Sequence, residues 1–228
     1  DRFRFAFKLT QDFTHRRGAF PEPDAVDAFS EALRPVAEAG KLGPVLMQFP
    51  WSFRYASDSV DWLRRLRDAF PQFTRFVEVR HSSWQAPEAL DALAEIGGVC
   101  TIDQPRLRDC IGPVQRVVGR EAYVRLHGRN ARNWFANDVP SFERYNYLYS
   151  EEELQEWVER LRTLADAADN IYAFANNHYQ GQSVANALEL EADLEGREVT
   201  VPEELLAAYP RLSRIARPPT TPKLFPEA

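Results

Sequence analysis

Arg75-Phe76-Val77-Glu78-Val79-Arg80 alternates apolar and polar side chains with period two, as a half-buried β-strand does. A helical pattern over Pro87–Ile96 follows it, Gly97 and Gly98 mark the stop, and Val99–Asp103 is a second short apolar run. Strand, helix and strand in this order imply parallel pairing with a right-handed crossover. The same alternation extends in both directions. Further strands are expected at Arg2–Lys8, Pro44–Phe49, Ala122–His127 and Ile171–Asn176. Helices are expected at Asp24–Ala39, Asp58–Phe70 and Glu151–Ala168, with shorter ones near Ser183–Leu190 and Pro202–Tyr209. Ser57-Asp58 reads as one helix cap, and Ser150 before Glu151, Glu152 and Glu153 as another. Gly40 and Gly43 mark a further stop or turn.

The alternation leaves two architectures, an α/β barrel or a doubly wound sheet. No glycine-rich phosphate fingerprint follows a strand, which lowers the odds of a dinucleotide-binding or P-loop fold. The expected class is therefore a TIM-barrel-like parallel βα barrel, incomplete at six of eight strands. The domain is expected over residues 1–216, with a Pro-rich tail over 217–228. Because the sequence starts almost directly in a strand, an upstream portion is expected beyond it.

Composition narrows the function. The 228 residues carry 34 acidic and 28 basic side chains, a formal net charge of −6, with a pI near 5.4. That balance argues against broad non-specific nucleic-acid binding, though not against a local basic cleft. Two cysteines, Cys100 and Cys110, exclude a disulfide-stapled scaffold and a Cys-rich zinc module. No apolar run approaches the roughly 18 residues of a membrane span, and a cytoplasmic protein is expected.

Polar residues end all six expected strands. Glu78 and Arg80 share a face with Phe76, and Arg125 and His127 share one with Tyr123. The same parity places Lys8 with Ala6, Gln48 with Leu46, Asp103 with Thr101, and Asn176 and His178 with Phe174. In a barrel these would face the lumen near its C-terminal mouth, where barrel enzymes hold their sites. All four histidines, His15, His81, His127 and His178, lie at or just after strand ends. The blander reading, a buried Glu78 pair with Arg80 or Arg125 that only holds the core together, stands beside the functional one.

The segments carrying these residues match a known family. Phe5-Ala6-Phe7-Lys8 with Thr14-His15, Leu46-Met47-Gln48-Phe49-Pro50 and Val77-Glu78-Val79-Arg80-His81-Ser82-Ser83-Trp84 form three blocks. Tyr123-Val124-Arg125-Leu126-His127-Gly128-Arg129 and Asn176-Asn177-His178-Tyr179-Gln180-Gly181-Gln182-Ser183 complete the set. In this order they resemble the domain of unknown function 72 family, the YecE-like proteins, from Phe3 to about Leu190. The resemblance implies a TIM-barrel-like fold and a polar pocket at the strand ends, and no established activity. The upstream βα portion of the family, with its Gly-Thr-Ser-Gly-Trp-like strand, is not in this sequence.

The lumen charge expected from Lys8, Arg80 and Arg125 against Glu78 and Asp103 is positive, with Arg129 adding at the rim, so an anionic ligand is favoured. Gly181 and Gln182 open a helix after the last strand, a second anion cue. Glu78, His127, His178 and Asp103 are the acid–base candidates. Lys8, His15, Gln48, Arg80, His81, Arg125, Arg129, Asn176, Asn177, Gly181 and Gln182 are the binding candidates. The expected ligand is a small phosphorylated or carboxylated molecule, turned over by lyase, isomerase or hydrolase chemistry. Two alternatives stand beside it: a metal-dependent phosphoesterase or nuclease, with Trp84, Trp134, Tyr145 and Tyr147 as base-stacking candidates, and a non-catalytic ligand-binding barrel. No cofactor is assigned; a divalent metal and a nucleic-acid partner are the less favoured options, a membrane is not expected, and oligomeric state is not read. Cys100 reads as core, opposite the lumen, and no nucleophilic elbow is present.

Overall fold

The computed structural model describes residues 3–136 and 138–217. Its strands are β1 (Phe5–Lys8), β2 (Leu42–Gln48), β3 (Arg75–Glu78), β4 (Gly98–Asp103), β5 (Glu121–Leu126) and β6 (Asn170–Ala175). All neighbouring pairs are parallel, and the spatial order is the chain order β1-β2-β3-β4-β5-β6. A doubly wound sheet reverses its strand order at a switch point. This sheet never reverses. It curls in one sense into part of a barrel, with helices outside.

The helices are α1 (Gln11–Thr14), α2 (Pro23–Glu38), α3 (Ser57–Ala69), α4 (Pro87–Ile96), α5 (Glu151–Ala165), α6 (Gln182–Glu195) and α7 (Glu203–Ala208). At α5 the expected cap is a full capping box. Ser150 Oγ accepts from the Glu153 amide at 3.3 Å, and the Glu153 carboxylate accepts from the Ser150 amide at 3.0 Å. The cap expected at Ser57-Asp58 is not formed. Ala56 occupies the N-cap position, Ser57 is already helical, and no side chain caps the end. Burial of Val60, Trp62, Leu63 and Leu66 holds α3 instead.

Val124 and Leu126 of β5 pack with Trp157, Val158 and Leu161 of α5, which fixes the outer face of that strand. Parallel partners point the same way, so the pairings carry the inner face across the sheet. Gln48 aligns with Glu78, Cys100 with Tyr123, Ile102 with Arg125, and Arg125 with Phe174. The same register corrects two sequence expectations. Asp103 pairs with Leu126 and therefore faces the helices, whereas Cys100 faces inward beside Tyr123. β4 is buried along its whole length, so its side chains carry no polar–apolar alternation from which parity could be read.

The connection from β5 to α5 is packed by its own aromatic residues. Gly128 adopts φ +89°, and a Cβ there would lie 2.6 Å from that of Tyr147. Its amide donates to Tyr149 Oη at 2.8 Å. Val199 bridges Ala216 and ties down the end of the described chain. The expected tail lies outside the described residues beyond Arg217. No helix among the described residues is long and apolar enough to cross a membrane.

Candidate functional site

Glu78 is fully buried at the end of β3. Its Oε1 accepts from Arg80 Nε at 3.0 Å and lies 3.1 Å from His127 Nε2, while Oε2 accepts from Arg125 at 2.6 Å. Arg125 also donates to Asn176 Oδ1 at 2.9 Å, and Asn176 Nδ2 lies 3.1 Å from His127 Nδ1. Five residues from three strand ends thus form one closed network. Burial would raise the Glu78 pKa, but the His127 ring and the Arg125 and Arg80 guanidinium groups hold it well below the usual range. Burial lowers His127 to about 4 against the pull of Glu78, and Arg80 and Arg125 add to the lowering.

His127 is therefore neutral at pH 7, and its partners assign its tautomer. Nε2–H donates to the Glu78 carboxylate, and Nδ1 accepts from the Asn176 amide. Both ring nitrogens are taken. The network matches the structural reading of Glu78 that the sequence left open, with Arg80 held at its edge.

Arg80 lies at the boundary between this network and a cavity of about 650 Å³. His15 lines it from the end of α1, Gln48 from the end of β2, and Trp51 and Ser52 from the turn after β2. Trp134, Phe135, Arg144 and Tyr145 line it from the β5–α5 connection. Among the described residues that line it there are two arginines, one histidine and no carboxylate. Arg80 sits 5.6 Å over the Trp134 ring. Arg144 donates to Ala136 O at 3.1 Å, and its buried Nε has no hydrogen-bond partner among the described residues. Burial lowers the His15 pKa, followed by the charges of Lys8, Arg80 and Arg17. Thr14 Oγ1 donates to Thr10 O at 3.2 Å and lies 2.8 Å from His15 Nδ1. With that hydroxyl proton committed, Nδ1–H donates to Thr14 and Nε2 becomes the basic nitrogen of His15.

Other sequence candidates lie apart from this cavity. Asp103 and Arg129 pair at 2.8 Å on the outer face, where Arg129 also meets Glu153 at 3.0 Å and Glu156 at 3.3 Å. Burial raises the Asp103 pKa, opposed by Arg129. Neither residue adds charge to the lumen, contrary to the sequence expectation. Arg125 faces inward, but its guanidinium is spent on Glu78 and Asn176 and does not line the cavity. His81 Nδ1 accepts from the Ser83 amide at 3.0 Å and caps the 3₁₀ turn Ser82–Gln85, with the Trp51 ring tilted against it at 5.2 Å. Asn177 is fully buried and donates to Tyr147 O and Asn186 Oδ1, both at 2.8 Å. Gln182 is bonded to Tyr147 N and Asn146, and Gly181 packs near Leu205 and Tyr209. His178 is exposed, with its ring 5.2 Å from that of Tyr145. Lys8 is exposed close enough to act on His15. Trp84 is fully buried and donates to Phe53 O, so it is core rather than a stacking surface.

Sequence reasoning missed Arg144 and Trp51. Trp51 lies three residues past the end of β2, in a strand-to-helix connection of the kind that supplies barrel sites. Arg144 sits in a single 3₁₀ turn, Ser141–Tyr145, within the long β5–α5 connection, whose path no periodicity announces. Among the described residues, no three of His, Cys, Asp and Glu converge as metal ligands would.

The fold is that of one family. The family model described as protein of unknown function DUF72 matches residues 1–210, and the chain belongs to that family. It is 28% identical over 204 residues to the UPF0759 protein YunF of Bacillus subtilis (strain 168), covering 82% of this chain and 72% of that one. A DUF72 family crystal structure from Thermotoga maritima MSB8 superposes with a TM-score of 0.79 at 34% identity, covering 85% of this chain and 74% of the other. One from Enterococcus faecalis V583 gives 0.77 at 24% identity, covering 88% and 76%, and supports the fold.

Proposed function

We propose that this protein is an enzyme that binds a small phosphorylated or carboxylated molecule in the cavity at its strand ends and moves protons on it. One observation carries the reading: Arg80, Arg144 and His15 face one cavity whose described lining holds no carboxylate. Glu78 is the carboxylate paired with Arg80 and it is shared with Arg125, so together with Arg144 the partly desolvated site keeps an excess of positive charge, which favours an anion. Arg80 is held in place by Glu78, and the Arg144 guanidinium, which lines the cavity and donates to one backbone carbonyl, keeps donors for an oxyanion. His15 is the proton carrier in this reading. Its lowered pKa keeps it neutral near pH 7, and its assigned basic nitrogen is Nε2. This moves the acid–base role away from Glu78 and His127, whose hydrogen-bonding groups are spent on other residues, and from Asp103, which faces the helices.

The test is titration of the purified protein with inorganic phosphate while the His15 imidazole is followed by NMR. Phosphate is expected to shift the His15 resonances and raise its pKa, and Arg144→Ala to weaken the effect. An unmoved His15 across phosphorylated and carboxylated ligands would overturn the anion site. If a turnover substrate is found and His15→Gln retains full activity, the proton-carrier role fails.

A further inference from the structure

The cavity is too large and too aromatic for an anion alone. At about 650 Å³ it lies within the range of roughly 300–1,000 Å³ typical of small-molecule sites. Trp51 and Phe135 meet edge to face at 5.2 Å, and Trp134 and Tyr145 at 6.0 Å. Trp51 is a rigid platform, since its Nε1 donates to Asp109 O at 3.0 Å and Arg54 lies 5.5 Å over its ring. Phe135 beside it is 48% exposed, an apolar ring left uncovered next to two guanidinium groups. Gln48 and Ser52 add hydrogen-bonding groups to the same wall.

Resting on the anion-binding reading above, we propose that the ligand joins its anionic group to a planar ring, as a nucleoside monophosphate does, and that the ring stacks on Phe135 and meets Trp51 edge to face. Arg80, Arg125 and Arg144 outweigh the one buried carboxylate, Glu78, and that excess matches the charge of about −1.5 to −2 on a phosphomonoester at pH 7 better than a single carboxylate. Stacking of the ring covers Phe135 and uses the polarity of both faces. The net charge of −6 opposes a polyanion and directs the reading to a mononucleotide rather than a nucleic-acid strand.

The experiment is calorimetric titration of the whole protein with AMP, UMP, ribose 5-phosphate and inorganic phosphate, repeated on Phe135→Ala. Phe135 is exposed, so the variant is expected to fold, and a thermal melt checks it. AMP is expected to bind about tenfold or more tighter than ribose 5-phosphate, and Phe135→Ala to remove about that factor for AMP. Affinity for ribose 5-phosphate should change less than about twofold. Equal binding of AMP and ribose 5-phosphate, unaffected by Phe135→Ala, would overturn the ring-stacking inference and leave the anion site standing. No binding of any of the four phosphates would overturn both.

Discussion

Asn176 Nδ2 lies 3.1 Å from His127 Nδ1, while its own Oδ1 accepts from Arg125 at 2.9 Å. One amide therefore sets the tautomer of a buried imidazole and completes the partners of a buried guanidinium. The expected outcome is that His127 is neutral and protonated at Nε2 at pH 6, visible in nitrogen-15 spectra. Asn176→Ala should destabilise the fold by about 1–3 kcal/mol for each polar group left unpaired. An imidazole protonated at Nδ1 at pH 6 would show the network to be wired differently.

Acid should weaken the fold over a defined window. His127 is lowered to about 4 in the folded protein, so between its ordinary value of about 6.5 and 4 the unfolded chain binds the extra proton. Stability from this residue is complete above pH 6.5 and declines as pH falls, at up to about 1.4 kcal/mol per pH unit. Glu78, held well below its usual range, adds a further loss only at lower pH. Denaturant melts from pH 7 to 4 should show a shallower slope for His127→Gln than for the wild type.

One arginine of the buried network and one of the cavity wall should separate stability from binding. Arg125→Ala leaves the buried Glu78 carboxylate short of a partner and should cost about 3–5 kcal/mol. Arg144 makes one protein hydrogen bond to a backbone carbonyl among the described contacts. Arg144→Ala should leave the melting temperature nearly unchanged and lower phosphate affinity about tenfold or more, the worth of a charge-assisted hydrogen bond. Melts and titrations on the two variants make the comparison.

The outer-face pair gives the opposite control. Asp103→Asn weakens the contact to Arg129, which fastens the end of β4 to the start of α5 through Glu153. A loss of about 1–3 kcal/mol in stability is expected, with unchanged phosphate binding. A fall in affinity at constant stability would bring Asp103 back into the site.

How legible these features are depends on how each strand is solvated. In β3 and β5 the outer face is apolar and the inner face carries Glu78 or Arg125, so alternation is readable and the network residues are found from sequence. In β4, Val99, Cys100, Thr101, Ile102 and Asp103 are all buried, and nothing in the residue types says which way Asp103 points. The barrel-like order follows from strand–helix alternation, whereas the cavity wall does not. Arg144 reaches the site through a loop closed by the left-handed Gly128 and its contact with Tyr147, a path set by tertiary packing rather than local pattern.

Because each strand pairs with the one made just before it, the chain can add its βα units in the order of synthesis. The site does not mature at the same pace. A nascent chain that has reached β4 already holds Glu78 and Arg80, but neither Arg125, His127 nor Asn176. Until β5 emerges, the carboxylate has Arg80 alone for a partner, so its full burial, and with it early compaction around β3, is disfavoured. The last piece, Asn176, arrives some fifty residues later and locks the imidazole. Ribosome-bound chains stopped before β6 should thus be protease-sensitive at the strand ends while the β1–β4 layer is already protected.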